Sequence, residues 1–417
     1  MGRAKTWFYA ALFLLAVTGP PARAQDRDST EPFTQPPPVP TLPQQEATST
    51  KIIPLPIYST LPQQGSTFGF MPVFLVVEKN SQRTRSIIAP SLSWNPIIRF
   101  THTFRIYHYP SENVTINIIP SFSTNVNRGL TFDYFNMPKN AGRWTLESTS
   151  HIKRSIFYRF FGLGAQTHER DEASYTRISA DTQLRYGYNF TRYFNVGPVI
   201  SFERHIIEQK GVNFLPLATE KFRGTTGFNG ATTLFEGLSV RYDTRPQSQY
   251  SEEGFATDLT GGVFQGLAGA NTMSRVTWES RLLWRELSFL SGGARAFWGY
   301  TGGSNIPFYY QSNLGGSNRL RGFTEDRFID KGAWEVELEQ RIRLFSTNIY
   351  GVITDWRIDP FVAVGQVYNG LGDIVSRPRI TGGLGFRAFV RPNVLGRVDT
   401  AIGGEGIKVY VELGYPF

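Results

Sequence analysis

"IKVYVELGYPF", Ile407 to Phe417, ends the sequence, and every odd position in it is apolar or aromatic. Lys408 and Glu412 fall on even positions. A period of two places Val409, Val411, Leu413, Tyr415 and Phe417 on one face of a β-strand. Chain ends ordinarily fray, so an apolar stripe running to the last residue calls for a partner. A closed barrel supplies one. Its final strand pairs with its first and turns the stripe to lipid, leaving no edge unsatisfied in the hydrocarbon. Those five residues are therefore expected to form the barrel-closing strand.

The same period recurs upstream. In "EVELEQRIRLF" Glu335, Glu337, Glu339, Arg341 and Arg343 share one face, while Val336, Leu338, Ile342 and Leu344 share the other. "ISADTQLRYGYNF" (Ile178–Phe190) alternates likewise, and "VTWESRLLWREL" (Val276–Leu287) does so less cleanly. Aromatics gather near segment ends, as in "IYHYP", "FYRFF", "FWGY" and "PFYY", where amphipathic rings settle at the two interfaces of a bilayer. Beyond the first residues no apolar run approaches the roughly 18 residues of a spanning helix, which excludes a helical membrane protein. The expected fold is all-β, a transmembrane antiparallel β-barrel. Residues 67–417 give 351 positions. At roughly 22 residues per strand and connection they accommodate about 16 strands.

The beginning of the chain is different in kind. Arg3 and Lys5, the apolar run Trp7 to Val17, Gly19-Pro20-Pro21 and the small-residue step Ala22-Arg23-Ala24 follow the order of a secretory signal, expected over residues 1–24. Residues 25–66, with "EPFTQPPPVPTLPQQEATST", are rich in Pro, Gln, Thr and Ser and are expected to be an extended periplasmic linker. The barrel is expected over 67–417. There is no cysteine, so an exported chain of this length holds together without disulfides. The formal net charge of +9 falls to +6 without Arg3, Lys5 and Arg23, and no run of five basic residues exists. Nucleic acid is not an expected partner.

Chemistry is sparse. The histidines His102, His108, His151, His168 and His205 show no paired-ligand spacing, and without cysteine no metal or other cofactor is expected. No nucleophile elbow or phosphate-binding loop occurs, so no catalytic residues are assigned and the chain is not read as an enzyme.

The singular stretch is "NLGGSNRLRGFTEDRF", Asn313 to Phe328. Gly315, Gly316, Arg321, Gly322 and Phe323 resemble the conserved-loop motif of the bacterial surface antigen superfamily of BamA- and TamA-type outer-membrane barrels. "FFGLGAQT" (Phe160–Thr167), "GLSVRYDTRPQSQYSEEGF" (Gly237–Phe255), "PFVAVGQVY" (Pro360–Tyr368) and "TGGLGFRAFV" (Thr381–Val390) are similar to other pieces of that family, in order. The resemblance implies a loop folded back into the barrel with its Arg-Gly-Phe tip inside. It also implies insertion, assembly or translocation of polypeptides in the outer membrane of a Gram-negative-type bacterium. Outer-membrane lipid, a polypeptide client and a separate periplasmic partner are the partners it brings. The mechanism it implies is a weak seam between a first strand near Phe68–Val77 and the last, Lys408–Phe417, whose exposed edges template a client strand.

Two departures matter. Forty-odd Pro-rich residues do not make the periplasmic POTRA domains of the family, so a barrel-only member is expected. The family's loop arginine meets an aspartate in a Phe-x-Asp-x-Gly strand, and here Ala363 stands at that place in Phe361-Val362-Ala363-Val364-Gly365. A guanidinium buried without a carboxylate is costly. Glu335, Glu337 and Glu339 on the next strand and Asp359 beside Ala363 are the candidate partners of Arg321, with Glu339 or Glu337 expected to form a bidentate pair. Asp243 and Arg245 read either as lumen-lining or as the polar end of a strand. A passive porin-like channel, or a surface-exposed structural barrel, is the rival reading, since a charged lumen alone suffices for it.

Overall fold

In the strand Gly332–Ile349 the alternation is realised directly. Glu335, Glu337 and Glu339 are buried, while Val336 and Leu338 are 42% and 49% exposed. The same division runs around the molecule: Phe70, Phe104, Phe132, Leu184, Phe202, Leu259, Val362 and Phe386 all point outward. This is the apolar outer band that hydrocarbon requires of a barrel wall.

The computed structural model describes residues 48–79, 83–246, 251–349, 352–390 and 394–413. The expected signal (1–24), the linker up to residue 47, Tyr415 and Phe417 lie outside them, as does the side chain of Leu413. Among the described residues eighteen strands join in one antiparallel sheet that is nearly closed. Each pairs with its neighbours along the chain, from Thr48–Leu61 to Gly406–Leu413. A separate two-stranded ribbon, Ser312–Leu314 with Phe328–Asp330, lies within the connection between Leu290–Gly302 and Gly332–Ile349. Among the described residues no helix is long and apolar enough to cross a membrane.

The count of eighteen is close to the expected value of about 16. Many hairpins close on two or three residues, as between Ser111 and Val114 or Gly403 and Gly406, so each strand uses less chain than assumed. The first strand is also earlier than expected. Thr48–Leu61, inside the segment read as linker, pairs with Gly65–Glu78 along its whole length. Its prolines look like breakers, yet Ile53, Leu55 and Ile57 alternate and pack against Met71 and Val73. An edge strand tolerates proline where no neighbour asks for the missing N–H.

Because the strands alternate in direction, the three longest connections, 161–172, 209–230 and 303–331, emerge at one rim. Ala218, Phe308 and Ile329 from the second and third pack there on Phe160 and Tyr175 of the adjoining strand ends, and the Gly164 N–H of the first donates to the Ile329 carbonyl at 2.8 Å. Phe308 lies edge-on to Tyr175, with ring centroids 5.5 Å apart. This cluster fixes the base of the loop that carries Arg321.

Candidate functional site

The loop is held in shape before its arginine meets anything. The ribbon Ser312–Leu314/Phe328–Asp330 forms its stem. Gly315, Gly316 and Gly322 adopt φ of 109°, 115° and 116°, a region that L side chains rarely enter. At Gly322 a Cβ would stand 2.9 Å from the backbone nitrogen of Gly403. The tip therefore rests on the turn that joins the last two strands. Tyr410, fully buried, clamps it: its hydroxyl accepts from the Gly322 N–H at 3.0 Å and donates to the Phe323 carbonyl at 2.7 Å. Leu314, Leu320, Phe323 and Phe328 fill the space beneath with Ala333, Ala363 and Val367.

Arg321 is completely buried. Its Nη2 donates to Glu337 Oε1 at 2.6 Å and to Glu339 Oε2 at 3.1 Å, and its Nη1 to Asp399 Oδ2 at 3.1 Å. The guanidinium lies over the Phe361 ring, 3.4 Å from its centroid. Burial by itself would lower the pKa of Arg321, but Glu337, Glu339 and Asp399 outweigh it and hold the value above that of ordinary arginine. The loop thus delivers one fixed positive charge to a cluster of carboxylates on the face opposite Val336 and Leu338.

Neighbouring arginines balance the remainder. Arg295 reaches Glu335 at 2.9 Å and Glu337 at 3.4 Å. Arg341 pairs with Glu339 at 3.0 Å, and Arg387 with Asp359 at 3.1 Å and Asp399 at 2.5 Å. Arg397 bonds Asp399 and Glu412, and also the Ser317 carbonyl and Asn318 of the loop. Five buried acids, Glu335, Glu337, Glu339, Asp359 and Asp399, face five arginines, 295, 321, 341, 387 and 397. Such a lattice is worth little unless complete, and breaking one member leaves a bare charge in low dielectric.

The candidate partners divide. Glu337 and Glu339 touch Arg321. Glu335 instead accepts from the Leu320 N–H and pairs with Arg295. Asp359 belongs to Arg387. Ala363 stands directly opposite Glu337 in the ladder, so the carboxylate comes from the adjoining strand at the same level. Asp399, on Val394–Gly403, escaped sequence reading. Its signal was present in Arg397-Val398-Asp399-Thr400, where Arg397 and Asp399 share a face, but nothing local ties that face to a loop some eighty residues upstream. Asp243 and Arg245 pair with each other, Oδ2 to Nη2 at 2.9 Å, at the end of Ala231–Asp243. Val409 and Ile407 are exposed on the outer face of the last strand.

This combination of wall and loop can be set beside known proteins. The Omp85 superfamily domain is recognised over residues 114–388, about two-thirds of the chain. The chain belongs to the Omp85 superfamily. Its fold is similar to that of BamA from Haemophilus ducreyi lacking POTRA domains 1–3, at TM-score 0.53 and 13% identity, covering 87% of this chain and 75% of that one. It is also similar to CdiB from Escherichia coli, at TM-score 0.50 and 12% identity, covering 89% of this chain and 63% of that one. No curated protein matches it in sequence. Among the described residues this Omp85 barrel carries no POTRA domain. The family and the two folds place it among outer-membrane barrels.

Proposed function

We propose that this Omp85 barrel handles polypeptide at the outer membrane, in insertion, assembly or translocation, by parting its wall between the first and last strands. One observation carries the reading. Thr48–Leu61 and Gly406–Leu413 lie side by side, yet among the described residues no backbone ladder joins them. Their described hydrogen bond runs from the Ser59 hydroxyl to the Val411 carbonyl, 2.9 Å. Every other neighbouring pair in the sheet is laddered. The loop, folded inside the barrel with Arg321 in its carboxylate lattice, braces the last strands while the seam opens. A polypeptide client, and a periplasmic partner that recruits it, complete the scheme in the outer membrane of a Gram-negative-type bacterium.

The test is a reversible lock. Thr60→Cys with Val411→Cys flanks the Ser59–Val411 bond in a chain without native cysteine. In cells that depend on this protein, oxidation should deplete its clients from the outer-membrane or secreted protein fraction, and reductant should restore them. Ion conductance of the purified barrel should not change. If both fractions are the same in the locked and unlocked states, the wall does not open in use and the barrel is a passive channel.

A further inference from the structure

The twenty-six residues from Ile52 to Val77 include no Asp, Glu, Lys, Arg or His. They form a hairpin in which Thr48–Leu61 and Gly65–Glu78 pair without a break, from Thr48 opposite Glu78 to Leu61 opposite Gly65. Both of its faces are apolar. Ile52, Tyr58, Phe68 and Phe70 are exposed outside, and Ile53, Leu55 and Ile57 pack on Met71 and Val73 inside. In Gly332–Ile349, by contrast, the inner face is a row of charges.

The prolines give the hairpin's sides a direction. Pro54 stands opposite Pro72. A hydrogen-bonded pair in an antiparallel ladder needs an N–H from each residue, and neither has one. The pair is therefore of the non-bonded kind, and both ring nitrogens point outward from the hairpin. Pro72 then faces Thr84–Asn95, where the ladder runs to Phe70 opposite Leu92 and resumes only at Phe74 opposite Ile88. The register places Pro90 in that gap, facing Pro72. Two ladder bonds are missing at mid-wall. Pro54, and Pro56 two residues on, face the other way, toward Gly406–Leu413. There the Val411 carbonyl takes its hydrogen from the Ser59 side chain.

We propose that Thr48–Glu78 moves as one two-stranded leaf, hinged on the Pro72–Pro90 line, and that on parting from Gly406–Leu413 it turns its inner face to lipid. The proposal rests on the seam-opening reading above. A strand with a charged inner face could not make this excursion, because each ionised side chain in hydrocarbon costs several kcal/mol. This leaf carries none between Ile52 and Val77. Its continuous internal ladder keeps the two strands together while its sides release. The leaf's outer edge lacks donors at Pro54 and Pro56, whereas Gly406–Leu413 contains no proline, so the last strand is the edge better equipped to pair with an incoming strand.

The absence of cysteine permits a direct test on the full chain in phospholipid vesicles. A spin label at Leu55→Cys reads the inner face of the leaf, and one at Ser179→Cys reads the inner face of a wall strand far from it. Lipid-soluble oxygen should relax the Leu55 label more strongly than a water-soluble nickel chelate does, with the reverse order at Ser179. Pro72→Val with Pro90→Val restores two donors and should lower oxygen accessibility at Leu55 by about fivefold or more, given the usual net worth of two hydrogen bonds. Each single substitution should fall between. A Leu55 label relaxed by the chelate as at Ser179 overturns the proposal, and so does an oxygen accessibility that ignores both valines. If Leu55 meets lipid but the Thr60–Val411 lock leaves client levels unchanged, the leaf moves and the polypeptide-handling reading fails instead.

Discussion

Replacing Arg321 by alanine should be among the most damaging single changes in the barrel, and its cost follows from the lattice around it. The guanidinium serves Glu337, Glu339 and Asp399, all fully buried. Without it, five buried acids face four arginines, and the Glu337 Oε1 atom loses its 2.6 Å partner. Removing one side of a buried ion pair costs about 3–5 kcal/mol. The stacked contact over Phe361 adds up to about 2 kcal/mol where the cation is desolvated. Arg321→Lys keeps the charge but cannot reach Glu337 and Asp399 with two separate arms, so it should recover only part of the loss. The diagnostic variant is Arg321→Ala combined with Glu337→Gln, which rebalances the lattice at four charges of each sign and should regain about 1–3 kcal/mol over Arg321→Ala alone. Urea unfolding from vesicles, followed by tryptophan emission and by heat-dependent gel mobility, measures all three. A double variant no more stable than Arg321→Ala, or an Arg321→Ala barrel that unfolds like wild type, refutes the reasoning.

Other outcomes test the supports of the loop and wall. Tyr410→Phe removes the hydroxyl that joins Gly322 to Phe323, should cost about 1–3 kcal/mol, and should expose Arg319 and Arg321 to trypsin in the folded barrel. Gly322→Ala forces a side chain into a positive φ and against Gly403, and should destabilise by more than about 1 kcal/mol in the same unfolding assay. Leu338→Arg puts a charge on the outer band and should cost about 2–4 kcal/mol on refolding into vesicles. The effect should shrink in short-chain detergent, which has no defined hydrocarbon slab.

The legible parts of this barrel were those encoded by neighbours two apart. In Gly332–Ile349 alternation alone separates the charged face from the apolar one, and Gly315, Gly316 and Gly322 are glycines because the tongue's backbone enters a region closed to other residues. Thr48–Leu61 is a strand and not linker for a physical reason. The Pro-, Gln- and Thr-rich composition of residues 31–50 reads as linker, and Pro54 and Pro56 further on are tolerated because their missing N–H groups face the side of the strand that carries no ladder. The same early start, with hairpins tighter than assumed, accounts for the small difference between about 16 strands and eighteen.

By itself the sequence determined the class of wall, the singular loop and the need of Arg321 for an acid, because side-chain alternation and glycine conformations are local properties. Only the tertiary structure decided which acids answer it. Glu337 and Glu339 lie on Gly332–Ile349, whereas Asp399 lies three strands further along the sheet on Val394–Gly403. No spacing relates those strands to the loop. They converge on one guanidinium because the sheet curves and the loop rests its tip on the Gly403 turn, and an ion pair depends on distance through space.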